Sequence, residues 1–530
     1  MFKTVFIYLP ISVIGIWRWS YWMVRVIGAS LYRPRPGIWP ARKKCLTLSI
    51  VTPVYNEDQQ LFIAAMESWI QNGVDEIIAV VDKTNTRLIV EFERRYSNLK
   101  DMPCRLIVTA KPGKRAALCD GVARAQSDLI ALVDSDTVWS SDVVQKTLPY
   151  FLDKKIGAVT IRQRIMNPET ASNVVFDILL WNRYQEEVPF LLGLGKAFNT
   201  LSGRTAIYRA GALRGNNHDN LHDLRHESFL GARSISGDDK RLTHLVLEQG
   251  WHLAYVKGPV VSTQGLNKTH IFLKQRVRWT RNSWRADLRA IKRGWVWKHP
   301  VLAFYMIDRL VQPVFMLLGP VICIVAIAAQ EWLVVGILVS WWLVSRFIRL
   351  FSYFRHYPKR IVYLPAYIFY SYFNALIKVY ALATVLENSW VSRWHKNRLR
   401  QRLVRRSATV LAGTTAVLAF LVLMANFGTK ISRETSAQVT VPAPVGAREF
   451  ILDTDGPRKI YIAPALPAGA IFPTGIVSYV IQPGDTMNQL AERFGMSLGD
   501  LKKLNGLRDL DKINAGHTIL YYHQELTGAN

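Results

Sequence analysis

The sequence predicts three structural parts: an α/β domain built on a parallel sheet, an α-helical membrane region, and a small α+β module near the C-terminal end. Three observations predict them. Short β-rich runs alternate with helical patterns over residues 46–161, long apolar segments follow between about 301 and 427, and residues 478–522 read as strand, helix, helix, strand. A 530-residue chain that is 50% hydrophobic and 11% aromatic is too long for one domain and too apolar for a basic disordered tail.

In the α/β part, residues 46–53 form a strand, 61–72 a helix, 76–82 a strand, 88–96 a helix, 104–109 a strand, 115–125 a helix and 129–133 a strand. In a parallel sheet, ligands bind beyond the carboxyl ends of the strands. Polar residues gather at those ends: Tyr55, Asn56 and Glu57 after the first strand, Asp82 at the second, and Asp134, Ser135 and Asp136 after the fourth.

The formal charge of +28 suggests a nucleic-acid partner until it is located along the chain. Residues 429–530 hold ten basic and ten acidic side chains, so the excess, 57 against 29, lies in residues 1–428. It concentrates in two runs, nine basic residues with one acid over 272–298 and seven basic residues with no acid over 393–406. Both adjoin apolar segments, which reads as cytoplasmic juxtamembrane charge and not as nucleic-acid binding. The plain alternative is a solvated helix face.

Residues 1–31 read as an uncleaved signal anchor. Their apolar core is followed by Arg33, Arg35, Arg42, Lys43 and Lys44, which places that end in the cytoplasm. Segments at about 301–329, 332–351, 361–386 and 408–427 are each long enough to span about 30 Å of hydrocarbon. A crossing at 361–386 would put the basic run after Arg393 outside, and that segment holds Pro365, Asn374 and Lys378, so it is expected at the interface or re-entrant. The expected boundaries are an anchor at 1–31, a cytoplasmic α/β domain at 40–298, membrane and interfacial helices at 299–428, an extracytoplasmic Pro- and Ala-rich linker at 429–475 and an exported module at 476–523. Cys45, Cys104, Cys119 and Cys323 all precede the exported part and cannot staple it.

Asp134 and Asp136 flank one residue after an apolar strand, so both carboxylates can approach one hard cation shared with phosphate oxygens. An ordinary strand-end Asx turn is the plain reading of that pair. Lys111, Gly113, Lys114 and Arg115 open a helix, which sets cations and free N–H groups near an anion. Gly237, Asp238 and Asp239 place adjacent acids at another element boundary. Gln275, Arg276, Val277, Arg278 and Trp279 combine an amide, guanidinium groups suited to phosphate and an aromatic face suited to a sugar ring.

In order and spacing these residues resemble the processive family 2 glycosyltransferases with a GT-A catalytic domain, among them synthases of cellulose, chitin oligosaccharides, hyaluronan and mannuronan. The resemblance covers roughly residues 46–400 and rests on VDSDT at 133–137, SGDDK at 236–240 and QRVRW at 275–279. It implies a Rossmann-like GT-A domain in which Asp82 contacts the nucleotide base and Asp134 and Asp136 hold the donor diphosphate with Mg²⁺ or Mn²⁺. Asp239 is the implied general base for the acceptor hydroxyl, with Asp238 as the alternative. Gln275, Arg278 and Trp279 position the diphosphate and the terminal acceptor sugar, with Lys114 in the cationic surround. An inverting displacement of this kind needs one base and a stabilised leaving group, and no covalent nucleophile.

SGRTAIYRA at 202–210, through Ser202 and Gly203, is similar to the loop that lines the acceptor site in these synthases. ENSWVSR at 387–393 resembles the Trp-x-x-Arg gate of hyaluronan synthases, in which Trp390 and Arg393 close over the nucleotide. Val391 and Ser392 replace the usual Gly-Thr, and an interfacial aromatic with a snorkelling cation is the plain alternative. IGIWRWS at 14–20, GDDK and RNSWRADLRAI at 281–291 lean toward mannuronan synthase, while VDSDT and KVYALAT at 378–384 look as much like hyaluronan or chitin-oligosaccharide synthases, so the donor sugar stays open.

Residues 478–522 resemble a LysM module, which implies binding to peptidoglycan or another GlcNAc-containing glycan. Thr486 caps the first helix, and Leu490, Ala491 and Phe494 share one face. The expected protein is a multi-pass inner-membrane enzyme that takes a nucleotide-sugar donor from the cytoplasm, UDP-sugar or GDP-mannuronate, extends a polysaccharide and exports it. Two other readings are single-sugar transfer to a polyprenyl phosphate or glycolipid, and an inactive wall-anchoring scaffold.

Overall fold

The computed structural model describes residues 9–34, 36–37, 46–55, 57–96, 102–110, 113–215, 219–230, 232–233, 236–387, 448–450, 460–462, 476–505 and 518–522. The chain divides into two compact units, Met1–Ala419 and Phe420–Asn530.

The first unit opens with helix α1 (Leu9–Leu31) and continues through β1 (Leu48–Val54), α2 (Gln59–Gln71), β2 (Glu76–Asp82), α3 (Thr86–Tyr96), β3 (Cys104–Thr109), α4 (Lys114–Arg124) and β4 (Leu129–Val133). Then come β5 (Thr137–Trp139), β6 (Ile156–Ile165), α5 (Ala171–Asn182), α6 (Val188–Gly195), β7 (Thr205–Arg209), α7 (Asp238–Glu248), β8 (His252–Thr263) and α8 (Thr269–Arg293). Three long helices end the described part: α9 (Pro300–Ala328), α10 (Trp332–His356) and α11 (Leu364–Ala383).

Alternate residues of the central strands serve two separate cores. Val51, Ile78, Val80 and Ile130 face one, and Ile50, Ile77, Ala79 and Ala131 face the other. Burial on both faces explains the near-continuous apolar runs of β1, β2 and β4. Asp58 and Thr170 cap α2 and α5 by accepting from the Leu61 and Asn173 N–H groups, which fixes where those helices begin.

The eight-stranded sheet runs β3-β2-β1-β4-β7-β6-β8-β5. It is parallel from β3 to β4, as the alternation predicts, but β7 is antiparallel to both β4 and β6, and β5 is antiparallel to β8. The four strands read from the alternation thus pair parallel, and the sheet becomes mixed beyond β4. Alternation dictates direction only where a helix supplies the crossover between neighbours, and β4 is joined to β5 by three residues alone.

Among the described residues, two helices, α9 and α10, are long and apolar enough to cross a membrane by length and composition. Helix α1 carries Arg18, paired with Asp308 of α9, and Arg25, 3.8 Å from Glu186. The apolar segment expected at 361–386 divides into a 3₁₀ turn, Pro358–Tyr363, and α11. The span expected at 408–427 lies outside the described residues.

In the second unit, β9 (Arg448–Phe450) and β10 (Ile460–Ile462) form a two-stranded antiparallel ladder within the segment expected to be a plain linker. The terminal module runs β11 (Ile476–Val480), α12 (Met487–Arg493), α13 (Leu498–Asn505) and β12 (Thr518–Tyr522), with β11 and β12 antiparallel. Its core joins Ile481, Met487, Leu490, Ala491, Leu501 and Ile519, and Thr486 with Gln489 forms a full capping box.

Candidate active site

The antiparallel ladder between β4 and β7 pairs Val133 with Thr205, and the Asp134 N–H donates to the Arg204 carbonyl at 3.3 Å. Residues 202–204 are thereby laid against Asp134. Gly203 makes that approach possible: a Cβ there would stand 3.1 Å from Lys114 Nζ and 3.8 Å from both Asp134 oxygens. Ser202 lies beside it, its hydroxyl accepting from the Arg204 N–H at 3.4 Å.

Lys114, the first residue of α4, donates to Asp134 at 2.6 Å and stands 3.3 Å from Asp238. Burial disfavours its charge, yet Asp134, Asp238 and Asp239 outweigh burial and raise its pKa above the ordinary lysine value. Burial lifts Asp134, with Lys114 pulling against it and Asp136 adding to the rise. Glu57 is raised by burial and then by Asp136 and Asp134. Three strand-end acids, Glu57, Asp134 and Asp136, therefore repel one another at one site. Asp136 also accepts from the Thr263 hydroxyl at 3.2 Å, which ties it to the end of β8.

Asp238 and Asp239 form the first turn of α7, where the helix dipole favours negative charge. Gly237, at φ +83°, turns the chain into that helix in the left-handed region glycine tolerates. Arg115 holds the approach by donating to the Ser236 and Leu224 carbonyls at 2.8 and 3.1 Å while pairing with Glu227 at 2.6 Å. The two acids differ in electrostatic surroundings. Burial opposes the Asp238 charge, but Lys114 and Arg115 overcome it and hold Asp238 below the ordinary carboxylate range. Asp239 is pushed above that range by burial and then by Asp238.

Gln275, Arg278 and Trp279 lie on α8. Burial depresses the Arg278 pKa, and the attraction of Asp238, Asp239 and Asp134 opposes that fall. The Trp279 ring lies 5.8 Å from Phe176 and 5.1 Å from the Arg276 guanidinium carbon, and Gln275 buries its Oε1 without a hydrogen-bond partner. Helix α8 is fastened to α11 by the Trp284 indole, which donates to the Lys378 carbonyl at 3.0 Å, and by Arg281 on Thr384 and Glu387 at 2.9 and 2.7 Å.

The structure thus brings together Lys114, Asp134, Asp136, Gly203, Asp238, Asp239 and Arg278 from five separate segments. Asp82 sits buried at the end of β2, where its carboxylate closes a local turn by accepting from the Thr84 N–H at 2.9 Å. Trp390 and Arg393 lie outside the described residues. Sequence reasoning left out Glu57 and Arg204 as site residues. Glu57 carried the same strand-end signal that nominated Asp134, whereas the approach of Arg204 to Asp134 and Asp136 has no local signal.

Among the described residues, no group of three or more His, Cys, Asp or Glu is arranged to hold a metal unaided. Asp134 and Asp136 offer the one or two carboxylates with which Mg²⁺ is commonly held when substrate phosphates complete its shell. The donor set therefore fits a metal that arrives with a diphosphate.

The profile of Glycosyltransferase like family 2 matches residues 47–282, and that of the LysM domain matches residues 479–520. The chain is 23% identical over 404 residues to a type 2 glycosyltransferase of Gibberella zeae, covering 72% of this chain and 75% of that one. It is 25% identical over 371 residues to an N-acetylglucosaminyltransferase of Rhizobium meliloti, covering 66% of this chain and 81% of that one. Among solved structures, a mannosyltransferase from Pyrobaculum calidifontis in complex with GDP-Man and Mn²⁺ superposes with a TM-score of 0.49 at 16% identity, covering 71% of this chain and 98% of that one. The protein is a glycosyltransferase, with a family 2 domain of α/β fold and a C-terminal LysM domain.

Proposed function

We propose that the protein is a processive, inverting, membrane-bound polysaccharide synthase. The observation that carries this reading is the continuity of α8 with the apolar helices. One helix carries both Arg278, which the acids attract, and Trp279, and it is fastened to α11 and followed by α9. A growing chain stacked on Trp279 has a membrane element next to it, which transfer to a small soluble acceptor does not need.

In the proposed mechanism the donor diphosphate lies against Lys114, Arg278, Asp134 and Asp136. The last two hold Mg²⁺ or Mn²⁺, which neutralises charge on the leaving diphosphate when bound. Asp82 receives the nucleotide base. Asp239, whose raised pKa makes it the stronger base of its pair, takes the proton of the acceptor hydroxyl as that oxygen forms the bond to the anomeric carbon. Asp238, neutralised by Lys114, keeps the first turn of α7 in place. Ser202, Gly203, Gln275 and Trp279 line the acceptor side.

An N-acetylglucosaminyl donor, in keeping with the names of the relatives, is one candidate beside other UDP-sugars and GDP-mannuronate. The proposed setting is an inner membrane, with the catalytic domain cytoplasmic and the LysM module on the exported side binding peptidoglycan or another GlcNAc-containing glycan. Purified protein in nanodiscs, given a panel of UDP- and GDP-sugars with Mg²⁺ or Mn²⁺, is expected to release nucleotide from one donor and to build long product on a gel. A product one sugar longer than a lipid acceptor would replace this reading with single transfer to a polyprenyl phosphate or glycolipid.

A further inference from the structure

Immediately after Asp239, the side chain of Lys240 leaves the cleft and enters the protein, where the residue is only 4% exposed. Its ammonium stands 2.6 Å from Asp287, which is fully buried on α8, and donates to the Ser283 hydroxyl at 2.7 Å. The same hydroxyl accepts from Arg309 of α9 at 3.1 Å. Asp287 is held below the ordinary carboxylate range, because Lys240 and then Arg309 overcome the cost of burial. Neighbouring His244 is pushed down to about 3 by burial and by Lys240, so it stays neutral beside this cluster.

A buried ion pair is a costly way to hold a fold, since well-packed apolar residues commonly do so as well or better. What the pair adds is geometric definition. Successive helical residues project about 100° apart, so with Lys240 anchored to α8, α7 cannot rotate about its axis without breaking the anchor. That rotation is the motion that would swing Asp239 relative to the acceptor. Thr243, one turn on, donates to the Asp239 carbonyl at 2.7 Å and accepts from the Leu201 N–H at 2.8 Å, which holds the acceptor loop to the same turn.

We propose that Lys240 is a positioning residue for glycosyl transfer: anchored on Asp287 and Ser283, with Arg309 behind them, it sets the rotation of α7 and thereby the aim of Asp239. The inference rests on reading Asp239 as the base. It also gives α9, one of two described helices long and apolar enough to cross a membrane, a hydrogen-bonded link to the catalytic turn.

The test uses the full chain in nanodiscs and nucleotide release from the donor that the wild type turns over. Lys240→Met is expected to lower kcat about 10- to 100-fold, the loss typical of a reacting group displaced by about 1 Å, with KM for the donor within about twofold of wild type. Lys240→Arg, which keeps charge and reach, is expected to recover most of that loss. Lys240→Met combined with Asp287→Leu removes both charges, and it is expected to unfold no earlier than wild type while keeping the loss in kcat. Wild-type kcat in the double variant, a rise in KM in place of the fall in kcat, or a double variant that does not fold would each overturn the proposal. Asp239→Asn run in parallel separates the two readings: if it releases nucleotide at the wild-type rate, Asp239 is not the base, whatever Lys240→Met does.

Discussion

Lys114 Nζ lies 3.3 Å from Asp238 Oδ2, joining the first residues of two helices that are 124 positions apart in the chain. The same ammonium holds Asp134 at 2.6 Å, so one cation keeps acids from two segments together. Lys114→Met is expected to leave these acids repelling one another, to raise KM for the nucleotide sugar at least about tenfold, and to cost roughly 1.5–3 kcal/mol of stability. Donor titrations and thermal unfolding of the same preparation check both parts.

The opposite shifts of Asp238 and Asp239 give the pH profile a diagnostic limb. A base works deprotonated, so a base with a raised pKa loses activity early as pH falls. With Asp239 as base, kcat/KM is expected to fall on the acid side through an apparent pKa above the ordinary value of about 3.9. If Asp238 were the base, the limb would lie below that value, because Lys114 and Arg115 stabilise its charge. Asp239→Asn is expected to lower turnover by about 10²- to 10⁴-fold.

Asp177 is fully buried and accepts from Arg164 through both oxygens at 2.8 Å, from Arg360 at 2.9 Å and from the Tyr353 hydroxyl at 3.0 Å. It joins α5 and β6 to α10 and the turn after it. Asp177→Leu leaves two guanidinium groups without their carboxylate and is expected to cost about 3–5 kcal/mol. Denaturation in a fixed detergent measures this loss, and an unchanged midpoint would show that the cluster carries no net stability.

On the proposed reading, in which Asp134 and Asp136 hold a metal together with the donor diphosphate, chelation is expected to abolish nucleotide release and added Mg²⁺ or Mn²⁺ to restore it. Asp136→Asn is expected to raise the metal concentration needed for half-maximal rate. Metal titrations at saturating donor read this directly.

Much of the site was legible before the fold was known. Asp134, Asp136, Asp238 and Asp239 stand at element boundaries, and boundaries follow from local periodicity and turn chemistry. The bounds of 76–82, 104–109 and 129–133 match the strands residue for residue; 76–82 and 129–133 are short buried apolar runs between polar ends, and 104–109 is a β-branched edge strand. The loop that carries Arg204 was legible as a motif, but its nearness to Asp134 was not, since that follows from the antiparallel pairing of β7 with β4. Glu57 was legible and passed over.

By itself the sequence determined the alternating α/β core, the apolar helices and the strand-helix-helix-strand module, because repeats of 2.0 and 3.6 residues dictate which faces must be buried. Only the tertiary structure decided that β7 runs against its neighbours, that Gly203 meets Lys114, that Lys114 bridges Asp134 and Asp238, and that Lys240 turns away from Asp239 onto Asp287. These are contacts between residues far apart in the chain. They are set by ladder register and by the need of buried charges for partners, and no local spacing encodes either.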